Sequence, residues 1–333
     1  MTQVATPALA PVGVRVLASK EWRRRNLTFD RISFFLVFLV LPVSGYITFV
    51  VSPFVQAAYF SLTDWSGFSP KMNFVGFDNY TKLFNDSTFM KAMGNSVLLA
   101  LFLPVVTLAI AVFFASLVTV GGTSRGTIRG LRNSGLYRVI SFFPYVIPAI
   151  VIGLIWSQVY DPNSGLLNGV LTGVGLSGFK AFAWLGNVTT ARLAVMFVIV
   201  WGLVGFYMVL FIAAIKGVPG EIYEAARIDG CGRFRTAVSI TIPLIRDNVQ
   251  TSFIYMGILA LDAFVFMAAL EPGGGPANST LVMAQQLFTT AFNKGQFGYA
   301  CAMGVVLALI TLTYAGLVFA VNRLTGGRDE VGE

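Results

Sequence analysis

Residues 32–62 contain no Asp, Glu, Lys or Arg. About 20 apolar residues are enough to cross a bilayer, so this run spans one with residues to spare. In lipid the backbone must satisfy its own hydrogen bonds, which leaves a helix as the fold for a single such run. Five more apolar runs follow, at about 92–122, 139–160, 193–215, 248–270 and 295–322. The chain therefore reads as an all-α, polytopic membrane protein with six transmembrane helices, its membrane-spanning body covering 32–322. Composition agrees: of 333 residues, 56% are hydrophobic and only 11% charged, which is too few charges for a soluble domain of this size.

The net charge of +8 raises the question of nucleic acid, and the positions of the charges answer it. With the N-terminus inside, 17 of the 23 basic residues fall in internal segments and six in external ones. Such a cytoplasmic excess is the usual bias of inner-membrane proteins. Topology thus explains the charge, no nucleic-acid partner is expected, and both termini are expected in the cytoplasm. Residues 1–31 lack a short apolar core with a small-residue cleavage site, so they read as a cytoplasmic tail rather than a signal peptide. A second short tail covers 323–333. The two cysteines, Cys231 and Cys301, give neither a disulfide framework nor a metal spacing, and there is no histidine. No metal, cofactor or catalytic residue is expected.

The polar stretch Glu221 to Pro243, EIYEAARIDGCGRFRTAVSITIP, interrupts this apolar sequence inside an internal loop at 216–247. Pro219 can take the first helical position, with Glu221 and Glu224 at the positive end of the helix dipole. Ile222, Tyr223 and Ala226 give a narrow apolar stripe, and the small Ala225 and Ala226 allow close approach. Gly230 then permits a turn with positive φ. A short helix, a tight turn and a second short helix are predicted beside the membrane.

Glu224-Ala225-Ala226, Ile228-Asp229-Gly230 and Ile240-Thr241-Ile242-Pro243, in this order and spacing, resemble the EAA loop of the membrane subunits of binding-protein-dependent ABC importers. In that family the loop forms a coupling helix that docks into a cytoplasmic ATPase subunit. The resemblance implies that role for Glu221, Tyr223, Glu224, Ala225, Ala226, Asp229 and Gly230. Cys231 and Ala237 depart from the pattern, where Ala and an aromatic residue are usual. Further pieces extend the similarity from about Leu41 to Leu324: Ser61-Leu62-Thr63-Asp64-Trp65, Phe77-Asp78-Asn79-Tyr80, Phe143-Pro144-Tyr145, Ser164-Gly165-Leu166-Leu167-Asn168, Trp184-Leu185-Gly186 and the segment Gly273 to Thr280. Together they resemble the maltose-permease-like first membrane subunit of carbohydrate importers. Glu271-Pro272 stands where that subgroup often has Leu-Thr, and Phe266 where an Asp is common.

The resemblance implies partners. The chain has no P-loop pattern, so ATPase subunits must supply ATP chemistry. One EAA-like loop implies a second, related membrane subunit, an ATPase dimer, and an extracytoplasmic protein that delivers a di- or oligosaccharide. Asp262 is the acidic residue inside a predicted span, where charge is costly and faces a cavity or a partner. It is either a sugar contact or a contact with the second subunit. Tyr145 fits the sugar-contacting position of the proline-bracketed third span, and Phe264 lies in a region that lines the path in relatives. Trp201 and Tyr207 are further path candidates, although aromatic residues in spans more often serve packing. The competing class is an ion-coupled secondary transporter, disfavoured by a lone intramembrane carboxylate and no internal repeat. An intramembrane enzyme lacks any catalytic constellation.

Overall fold

A computed structural model describes residues 33–119 and 133–324. Both tails and the second internal loop, with Arg125, Arg129 and Arg132, lie outside the described residues. Contacts divide the chain into Met1–Val55 and Gln56–Glu333. The described part of the first unit is one helix with no buried side chain, α1, which runs Ser33–Phe60 into the second unit. A helix this apolar and without charge suits a lipid surrounding.

In the second unit, α2 (Asp78–Asn85) precedes α3 (Ser87–Thr119). The third apolar run forms two helices, α4 (Ser134–Val146) and α5 (Ala149–Val159), bent by 95°. Then come α6 (Leu166–Gly173), α7 (Val188–Lys216), α8 (Gly220–Ile228) and α9 (Phe234–Leu244). The fifth run is α10 (Arg246–Leu261) and α11 (Phe264–Leu270), bent by 46°. A short α12 (Met283–Phe288) leads to α13 (Phe297–Leu324). The described residues hold no strand beyond one isolated bridge, Thr63 to Phe74. Among the described residues the fold is all-α, with four long apolar helices and two bent pairs that each have the length and composition of a span.

Proline chemistry explains several local departures. Proline removes the N–H that would bond the carbonyl four residues earlier. The wider π-type turns at Leu36–Val40, Ile47–Val51 and Ala237–Thr241 each enclose that carbonyl, for Pro42, Pro53 and Pro243 respectively. The helix continues through all three. Pro148 instead starts a new helix, because Ile147 is extended at ψ 131° and Pro148 itself at ψ 136°.

The core of this unit is α7, packed between α3 and α4, with α10 on α3. Apolar packing cannot be driven by water inside a bilayer, so small residues that permit close backbone contact matter. Gly205 is such a point: a Cβ there would collide with the Ser141 carbonyl of α4. The next residue, Phe206, is thereby held against Tyr145 at the C-terminal end of α4.

Candidate functional site

Two sites emerge, one at each sequence feature that carries charge among apolar helices. The first is a cavity of about 620 Å³ between α4, α7 and α10, within the ~300–1,000 Å³ range of small-molecule sites. On one wall Tyr145 stacks on Phe206 with ring centroids 4.6 Å apart, beside the buried Tyr207. The opposite wall is α10, which presents Asp247, Thr251, Tyr255 and finally Asp262. Their steps of four, four and seven residues put them on one helical face. Along that face the rise of about 1.5 Å per residue separates Asp247 from Asp262 by roughly 22 Å.

Asp262 owes its place to a break in the helix. It closes α10 at φ −105°, ψ 41°, Ala263 follows at ψ 27°, and α11 departs at a new angle. There is no proline here. Irregular backbone at membrane depth is tolerated where it lines a cavity, and Asp262 is exposed to that cavity. One face therefore offers aromatic rings and the other hydroxyl, amide and carboxylate oxygens. Such a site suits a neutral, hydroxyl-rich ligand with apolar C–H faces.

The structure brings Tyr145, Tyr207 and Asp262 to this one cavity. It does not bring Trp201 or Phe264. Trp201 lies 5.4 Å from Trp156 of α5, edge to face, and Phe264 lies 5.2 Å from Phe288 of α12. Six residues separate Trp201 from Tyr207, about 240° around a helix, so the two cannot share a wall. Sequence reasoning missed Phe206, Thr251 and Tyr255. The signal was present, since polar residues recur at helical spacing in an otherwise apolar span.

The second site is α8. Pro219 is the residue before the helix rather than its first position, and Gly220 begins it. The helix ends in a Schellman turn: Cys231 N–H donates to the Ala226 carbonyl at 2.9 Å and Gly230 N–H to the Arg227 carbonyl at 3.1 Å. Gly230 adopts φ +74°, the left-handed region. The faces of α8 then separate cleanly. Tyr223 and Ala226 are 3% and 4% exposed and hold the helix to its own chain. The phenol of Tyr223 lies against Thr241, and burial raises its pKa above the ordinary value. Glu221, Ile222, Glu224, Ala225, Asp229 and Gly230 are exposed, as is Ile228 at 87%. Phe234, at the start of α9, is 76% exposed. Two large apolar side chains are thus exposed here, Ile228 beside Asp229 and Phe234 beside Arg235.

Bent spans around a polar-walled cavity, with a charged helix on one side, define a multi-pass transport protein. The chain belongs to the family described as the inner membrane component of binding-protein-dependent transport systems, whose pattern matches residues 118–326. It is a permease, not an enzyme. It is 65% identical to the diacetylchitobiose uptake system permease protein NgcF of Streptomyces coelicolor, across 92% of this chain and 87% of that one. It is 33% identical to the multiple sugar-binding transport system permease protein MsmF of Streptococcus mutans, across 82% and 89%. Its fold matches a chain of a bacterial ABC transporter involved in alginate import at a TM-score of 0.73, with 18% identity over 91% of this chain and 98% of the other.

Proposed function

We propose that this permease forms one half of the translocation path for a di- or oligosaccharide, diacetylchitobiose being the first candidate. The observation that carries the reading is the cavity at the α10–α11 break, with Asp262 facing it and the Tyr145–Phe206 stack on its far side. The sugar names of the relatives support the substrate class. The cavity is open on one side, and a second, related membrane subunit closes it. An extracytoplasmic solute-binding protein delivers the sugar. A cytoplasmic ATPase dimer engages α8 through Glu221, Glu224, Ala225 and Asp229, while Tyr223 and Ala226 anchor the helix from behind. Gly230 supplies the turn. Both termini and α8 are cytoplasmic, in keeping with the basic residues.

ATP binding then moves α8, and the spans rock between inward-open and outward-open forms. Membership of a binding-protein-dependent family disfavours an ion-coupled secondary transporter. The test is uptake in proteoliposomes holding both permeases, the ATPase and the binding protein. Labelled diacetylchitobiose should enter only with ATP and the binding protein present, and Asp262→Asn should weaken uptake while subunits still co-purify. Loss of co-purification in that variant would make Asp262 an interface residue, and uptake without ATP would refute the reading.

A further inference from the structure

The loop from Glu271 to Met283, at the end of the fifth span remote from α8, holds a conformation with a high internal cost. Four of five consecutive residues are left-handed: Gly274 at φ +82°, Gly275 at +71°, Ala277 at +51° and Asn278 at +58°. Glycine takes such angles freely, whereas Ala277 and Asn278 carry a Cβ that opposes them. The same loop and the start of α12 bury four oxygens without a hydrogen-bond partner: Glu271 Oε1, Ser279 Oγ, Thr280 Oγ1 and Gln285 Oε1. Buried polar groups left unpaired lose their hydration with no return. Strain of this kind persists only where the surroundings impose it.

Two side chains from other spans impose it. Asn95 of α3, 8% exposed, donates both Nδ2 hydrogens, to the carbonyls of Asn278 and Leu281, each at 2.9 Å. Its Oδ1 accepts from Arg192 of α7 at 3.3 Å, and Arg192 Nε donates to the Ser279 carbonyl at 3.3 Å. Every polar atom of the Asn95 side chain is thus spent on holding the loop or on the arginine that also holds it. Ser96 Oγ adds a bond from the Met283 N–H at 3.0 Å. The clasp grips backbone carbonyls, so it fixes the loop's shape whatever its side chains are. Pro272, Gly273 and Ala277 remain exposed.

We propose that Asn95 and Arg192 are positioning residues that keep this outer loop in a strained form, and that the solute-binding protein docks on that form. The inference rests on the reading that such a protein delivers the substrate. The loop's place at the outer end of a span, opposite the ATPase-facing helix, and its costly shape argue for this partner. Because α3 and α7 pack on each other and α7 lines the cavity, the clasp also ties the docked loop to the transport path.

The test is ATPase activity of the reconstituted complete importer against the concentration of sugar-loaded binding protein. Asn95→Ala and Arg192→Gln should co-purify with all subunits and keep basal hydrolysis. The concentration for half-maximal stimulation should rise at least tenfold. Asn278→Val, which leaves the clasped carbonyl in place but disfavours the left-handed angle, should give the same shift. It answers the question even if the Asn95 variant fails to assemble. Replacing Ala277 and Asn278 by Gly in the Asn95→Ala background should restore most of the response, since glycine takes the left-handed angle without the Cβ penalty that the clasp otherwise offsets. An unchanged half-maximal concentration in assembled Asn278→Val, or no restoration by the two glycines, would overturn the proposal. A wild-type importer that ignores its binding protein would refute the delivery reading itself, and the clasp's role with it.

Discussion

Replacing Gly230 isolates the backbone of the turn after α8 from everything else in the site. Gly230 sits at φ +74°, and a Cβ built on it meets no atom within 4 Å. Sterics with the rest of the chain therefore contribute nothing, and the cost is that of the left-handed conformation alone. For alanine that is about 1–2 kcal/mol, which lowers the equilibrium constant of the turn about 5- to 30-fold. Asparagine tolerates the region and should cost less, while a β-branched residue costs more. The two hydrogen bonds of the Schellman turn, at 2.9 and 3.1 Å, are lost when the turn opens. Binding-protein-stimulated ATP hydrolysis and uptake in proteoliposomes should therefore fall in the order wild type, Asn, Ala, Val. Membrane insertion should be unchanged, because the turn is exposed and adds little to the core. Wild-type uptake in Gly230→Val would refute the turn's role in transmission. Equal losses for Asn and Val would refute the backbone argument, and would show instead that the ATPase surface cannot admit any side chain there.

Glu224→Lys reverses a charge on the exposed face of α8 and should reduce co-purification of the ATPase, measured by affinity capture of the membrane subunits. In a Cys301→Ser background, native Cys231 should resist a membrane-impermeant thiol reagent in intact cells while Ser177→Cys is labelled; labelling of Cys231 would invert the topology. Gly205→Ala should force α7 from α4 and destabilise the complex by about 1–3 kcal/mol, seen as a lower thermal midpoint in detergent. Burial raises the Glu271 pKa from 4.5 to about 7. The folded protein therefore holds a proton that the unfolded chain has lost, so this contribution is full below about pH 4.5 and disappears as pH rises to about 7. The thermal midpoint should fall less between pH 5 and 7.5 in Glu271→Gln than in wild type.

The apolar runs were legible because bilayer thickness sets their length, and α3, α7 and α13 correspond to three of the runs read from sequence. The left-handed angle at Gly230 was legible too, because few residues other than glycine end a helix in this way. The bends were harder to read. The prolines around Tyr145 announce a disturbance, yet the 95° turn depends on which surfaces α4 and α5 each find, α7 for one and α11 for the other. At Asp262 a single polar residue marks the break, and a polar residue in a span is equally compatible with an unbroken helix. Which aromatic residues share the cavity depends on rotation about the helix axis, and so Trp201 and Tyr207 looked alike in sequence. The Asn95–Arg192 clasp joins positions 97 residues apart and acts on backbone carbonyls, which leave no trace in side-chain pattern.

The proposed coupling has a continuous route through the fold. Tyr223 seats α8 against Thr241, and Ile245, in the same core, separates α9 from α10. From that base α10 runs uninterrupted for 16 residues, about 24 Å, carrying the polar wall of the cavity. It stops at Asp262, and α11 ends at Glu271, where the clasped loop begins. If the ATPase moves α8 as proposed, the displacement reaches the cavity through one stiff helix, with compliance concentrated at the Asp262–Ala263 break. Strain at the outer loop meets the same break from the other side. A break of this kind lets the two halves of a span answer different partners, and its one charged side chain lines the cavity. On this argument Asp262 meets two demands at once, a helix end and a cavity oxygen. Asparagine can meet both, whereas leucine meets neither.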